Sequence, residues 1–129
     1  MASRHKDRIR QAKRDLEQAR NSLKSGYFEW TCFAAQQAAE KAVKAVFQNI
    51  GANAWGRSML ELLVELRRTV KVSDTLLDRA RELEKFYIPP RYPNAHAAGA
   101  PYEFYTKKEA ERAIKSAQTI IAFCESHLS

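Results

Sequence analysis

The sequence predicts an all-α protein: an up-and-down helical bundle of four to five helices, with a proline-rich loop before the last helix. Three observations carry that prediction. Apolar residues recur at steps of three and four along most of the 129 residues, and no segment alternates with period two. All four prolines (Pro89, Pro90, Pro93 and Pro101) fall in one stretch, "FYIPPRYPNAHAAGAPYEFY" at 86–105, which leaves the rest free of the strongest helix breaker. Gly26 and Gly51 stand where an apolar stripe ends. A chain of this length suggests one domain, residues 1–129, able to bury a core without disulfide staples.

The elements follow in order. Ile9, Ala12, Leu16, Ala19 and Leu23 form one stripe of a first helix, with Ser3 as the expected N-cap and Gly26 as its end. The second helix, about 27–50, is apolar nearly all round through Ala39. Such a helix belongs in the middle of a bundle or against a partner subunit. Its five alanines between Ala34 and Ala42 permit close approach, and Gln36, Gln37 and Glu40 are polar exceptions that need partners if buried. A third helix at about 58–68 turns Met59, Leu62, Leu63 and Leu66 to one face. A fourth at about 74–87 starts at the N-cap Ser73 and points Leu76, Leu77, Ala80, Leu83 and Tyr87 inward. The last helix opens on "TKKE", a capping box from Thr106 to Glu109, and carries a long stripe from Ala110 to Leu128.

Composition narrows the function classes. The net charge is +7, and residues 1–24 hold eight Lys and Arg against three acids. A basic helix face attracts phosphate backbones and acidic partners, although a solvated helix surface looks the same. Cys32 and Cys124 have no metal-finger or CxxC spacing and read as buried free thiols. His5 and His127, near the ends, read as surface residues, and the three histidines show no metal spacing. No glycine motif for phosphates is present, so no cofactor is expected. No leader or apolar run of about 20 residues is found, so the expectation is a cytoplasmic protein away from the membrane.

The loop stands apart. Residues 89–105, about 17 residues, are long for a connection in a compact helical domain, and such loops are often functional. Prolines stiffen it, and Tyr87, Tyr92, Tyr102, Phe104 and Tyr105 can pin it to the bundle. Read from the residues alone, the aromatics either complete the core under a crossover or hold Arg91 and His96 in place for chemistry.

"WTCFAAQQAAEKAVKAVF", "GRSMLELL", "FYIPPRYPNAH" and a final amphipathic helix, in that order, resemble the HEPN domain over about residues 5–127, and in particular its short single-domain prokaryotic branch. The resemblance implies a four- or five-helix bundle that dimerises. It also implies a motif of Arg, four to six residues, then His, matched here by Arg91 and His96, and metal-independent endoribonuclease activity in the members that are enzymes. Short members are often the toxin beside a minimal nucleotidyltransferase antitoxin. The chemistry suits the residue types. Histidine, with an ordinary pKa near ~6.5, can move a proton at neutral pH. Arginine stays charged and forks onto a phosphate. A two-fold dimer would supply two of each. Asn94 could orient the histidine or a phosphate oxygen, and Tyr92, where relatives commonly carry a small polar residue, could stack on a base. Arg57 replaces a histidine that the branch tends to carry and is an expected phosphate contact. Gln37 and Glu40 are expected to be buried near the loop as supports. The alternative is a non-catalytic HEPN dimer that binds a nucleotide or docks a nucleotidyltransferase.

Overall fold

The computed structural model describes residues 4–87 and 98–128. They form α1 (His5–Lys24), α2 (Phe28–Asn49), α3 (Met59–Leu66), α4 (Asp74–Glu84) and α5 (Lys107–Ser126), with one 3₁₀ turn at Pro101–Phe104. The fold is an all-α bundle, as the 3.6-residue periodicity predicts. Helix α2 is its axis: it packs most extensively on α1 and α5 and also meets α3 and α4. Ala35, Ala38, Ala39 and Ala42 on α2 are fully buried, and their small side chains let neighbouring helices approach closely. Phe47, Met59, Leu62, Leu63, Leu83 and Ile120 fill the rest of the core.

Helix ends follow local chemistry. Gly26, at φ +82°, takes the left-handed conformation between α1 and α2 that other residues avoid. Ser58 closes a capping box in both directions: its hydroxyl accepts the Glu61 amide at 3.1 Å, and Glu61 accepts the Ser58 amide at 3.1 Å. Ser73 caps α4 and Thr106 caps α5 by the same hydroxyl-to-amide bond. Arg112 forks onto Glu82 at 2.6 and 3.0 Å and ties α5 to α4 at the surface. Ser3, the expected cap of α1, lies outside the described residues, and the helix starts after Arg4 without a side-chain cap.

Three expectations change. α4 ends at Glu84, and Tyr87 is exposed instead of facing in. Its neighbour Phe86 turns inward and meets the buried Tyr105, with ring centroids 6.0 Å apart. Tyr102 and Phe104 are exposed, so among the described loop aromatics Tyr105 is the buried one. His5 is also buried, at 8 % exposure, because it begins α1 on the inward stripe, whereas His127 is exposed and lies against Phe123 at 4.6 Å.

Both cysteines are free and fully buried, and burial pushes each thiol up to about 12. A buried thiol that stays protonated is a poor nucleophile. Neither is expected to react with a disulfide reagent in the native state, and both should react once urea unfolds the chain. Fast native reaction would show that the α2–α5 packing opens locally.

Candidate functional site

Of the residues singled out in the sequence, Arg91, Tyr92, Asn94 and His96 lie outside the described residues. The described chain reaches that segment at Tyr87 and resumes at Ala98. Tyr87 stands on the rim of a polar cleft of about 450 Å³, which three parts of the chain build. Gln36, Glu40 and Lys44 come from α2 at four-residue steps and so share one face. Gly56, Arg57 and Ser58 come from the turn before α3, and Glu84 and Tyr87 from the end of α4.

Gln36 organises the floor. It is 0 % exposed, and its side-chain amide lies 3.2 Å from a carboxylate oxygen of Glu40 and 3.2 Å from one of Glu84. Its own carbonyl oxygen accepts a bond from Gln37 at 2.7 Å. A buried amide with both ends engaged is a fixed donor, and here it joins two carboxylates on different helices. Lys44 approaches the second Glu40 oxygen at 3.4 Å. Arg57 lines the cleft while its guanidinium pairs with Glu65 at 2.8 Å.

Burial raises the Glu84 carboxyl above its ordinary value of 4.5, and repulsion from Glu40 and Glu61 adds to this, while the Gln36 bond and Lys44 oppose it. A carboxyl raised by folding binds its proton more tightly in the native state than in the unfolded chain. Its ionisation therefore costs stability as pH rises through and above 4.5, and the cost vanishes below that value. Glu84→Gln keeps an oxygen for Gln36 and is expected to stabilise the fold at neutral pH, with the gain shrinking on acidification. Urea unfolding at neutral and acidic pH measures it, and a gain equal at both would assign the effect to packing instead of charge.

The cleft gathers two of the sequence-predicted residues, Glu40 and Arg57. Gln37 is half-buried but lines a different groove of about 540 Å³ between α1 and α2, with Asp15, Gln18, Trp30, Phe33 and Lys41. Adjacent helical residues point about 100° apart, so Gln37 faces that groove while its side-chain amide reaches back to the Gln36 carbonyl oxygen. Lys44 and Glu84 are additions. Glu84 carried a legible signal, since it stands four residues after Ala80 and seven after Leu77 and so puts a carboxylate at the border of an apolar stripe. Among the described residues, no group of three or more His, Cys, Asp or Glu could hold a metal ion, and no helix is long and apolar enough to cross a membrane.

The sequence pattern of the HEPN domain family matches residues 5–127. This chain belongs to the HEPN domain family. Solved HEPN-like structures agree in fold. The crystal structure of TT1696 from Thermus thermophilus superposes with a TM-score of 0.94 at 46 % identity, over 98 % of this chain and 100 % of that one. ST0689, an archaeal HEPN homologue, gives 0.82 at 38 % identity over the whole of both chains. A HEPN domain protein of Thermotoga maritima gives 0.74 at 43 % identity, over 93 % and 95 %. A protein of Methanocaldococcus jannaschii named "Putative toxin MJ1304" is 28 % identical over 130 residues, 93 % of this chain and 85 % of that protein. The chain is thus a HEPN protein related to one named as a toxin.

Proposed function

We propose that this protein is a HEPN-type metal-independent endoribonuclease, the toxin half of a pair with a minimal nucleotidyltransferase, and that Arg91 and His96 are its catalytic residues. One observation carries the reading: the segment bearing Arg91 and His96 leaves the described fold at Tyr87, on the rim of the cleft lined by Gln36, Glu40, Lys44, Arg57 and Glu84. The kinship with a protein named as a toxin supports the biological role.

In this reading the RNA supplies its own nucleophile. The 2′-oxygen attacks the adjacent phosphorus, the bond to the 5′-oxygen breaks, and the products end in a 2′,3′-cyclic phosphate and a 5′-hydroxyl. One proton leaves the 2′-hydroxyl and one reaches the departing oxygen. His96 serves one of these transfers, and a second histidine from a two-fold dimer serves the other. Arg91 holds the phosphorane charge. Tyr92 and Asn94 contact base and phosphate, Arg57 meets a neighbouring phosphate from the cleft, and Glu40 acts through Gln36 and Lys44 to hold the cleft in shape.

The test is incubation of total and defined RNA with the purified protein in EDTA. Cleavage to cyclic-phosphate ends is the expected outcome. No cleavage by folded, dimeric protein would favour the other reading, a non-catalytic dimer that binds a nucleotide or docks a nucleotidyltransferase. That reading has its own observation: the groove between α1 and α2 exposes Tyr27 and Trp30, a surface suited to a protein contact.

A further inference from the structure

Trp55 is 88 % exposed, the largest exposure among the described large hydrophobic residues. It does not hang from a loose loop. The Arg57 amide donates to the Ala54 carbonyl at 3.3 Å, and Gly56 at φ +72° takes the third position, which together make a type II turn with Trp55 at its second position. The Asn53 carboxamide oxygen accepts the Trp55 amide at 3.0 Å, and Ala54 packs against the core. The fold spends ordered structure to hold an indole out in water.

Beside it lies a hollow of about 310 Å³ lined by Trp55, Arg8, Lys44, Gln48, Asn53 and Ala52, among others. Arg8 bonds the neutral Gln48 carboxamide oxygen at 3.1 Å, so its charge is left for a ligand. Lys44 lines this hollow and the polar cleft alike, and Gly56 and Arg57, next to Trp55, line the cleft on the other side. An exposed aromatic face flanked by cations, on a chain of net charge +7, has the chemistry that binds unpaired nucleic acid: bases stack on the ring and phosphates meet the cations. A paired base has no free face to offer, so the preference is for single strands.

We propose that Trp55 is a stacking platform for an unpaired RNA base, with Arg8 holding the adjacent phosphate and the strand continuing past Arg57 into the polar cleft. The proposal deepens the nuclease reading and rests on it only for the strand's destination.

A fluorescently labelled 2′-O-methyl single-stranded oligonucleotide, which lacks the attacking hydroxyl, tests binding apart from cleavage. Wild type is expected to bind it with quenching of tryptophan fluorescence, and Trp30→Phe, which leaves Trp55 as the sole tryptophan, should keep that quenching. Trp55→Ala should weaken binding about tenfold, within the range for one stacked base. Arg8→Gln should lower the slope of log affinity against log salt by about 0.7, the signature of one lost phosphate contact on a single strand. A matched duplex should bind more weakly. Unchanged affinity in Trp55→Ala, equal affinity for duplex, no binding by wild type, or dissociation of a wild-type dimer by Trp55→Ala (which would make the indole a self-interface) would each overturn the proposal. RNA cleavage without any Trp55 dependence would overturn it and leave the nuclease standing; binding through Trp55 without cleavage would do the reverse.

Discussion

His96→Ala is expected to reduce RNA cleavage by at least about a hundredfold, the lower end of what a positioned acid or base contributes. The imidazole is the group proposed to move a proton, and alanine cannot replace it. The melting curve and the sedimentation of the variant should match wild type. Arg91→Ala should lose cleavage to a similar degree, and Arg91→Lys should restore it only in part, because an ammonium supplies the charge without the planar fork. Single-turnover cleavage in EDTA reads all three. If His96→Ala instead unfolds the protein or splits a dimer, His96 is a structural residue and the nuclease reading loses its proton carrier. Intact cleavage in a folded His96→Ala dimer would remove His96 from the mechanism altogether.

Phe47→Ala should cost about 3–5 kcal/mol of folding stability, the range for truncating a buried phenylalanine. Phe47 is 1 % exposed and is the largest of the fully buried side chains among the described residues. Against a total stability of about 5–15 kcal/mol this is a large fraction, and the melting temperature should fall by roughly 10–20 °C. The effect should also reach the binding surface. The Phe47 carbonyl accepts the Ala52 amide at 2.9 Å where α2 gives way to the turn that carries Trp55 and Arg57. Loosening this end of α2 should therefore weaken oligonucleotide binding at temperatures where the variant is still folded. Urea unfolding checks the stability, and a loss below about 1 kcal/mol would mean that the core collapses around the missing ring.

Much of the fold was legible because helices declare themselves locally. Apolar steps of three and four locate α1 to α5, and Ser73 and Thr106 mark two starts because a cap acts within one turn of its own helix; the capping box of Ser58 and Glu61 came to light only in the structure. Helix α4 ends at Glu84, three residues before the Tyr87 that the apolar stripe indicates, and the chain then turns with Phe86 against Tyr105, a contact between residues far apart in sequence. The site was legible in a different way. Arg91 and His96 emerged from a motif and a family resemblance, and both lie outside the described residues.

The sequence alone therefore determined an all-α chain, the order of its helices, a basic first helix, two buried free thiols and the position of its unusual loop. These depend on composition and on intervals of a few residues. Only the tertiary structure decided that Glu84 meets Gln36 across 48 positions, that Gln37 turns to another groove, that His5 is buried, and that Trp55 stands in water beside Arg8 and Lys44. Periodicity states which residues share a helix face, but which helix that face meets depends on how all five pack at once. A cleft built from the middle of α2, the start of α3 and the end of α4 exists only once that packing is complete.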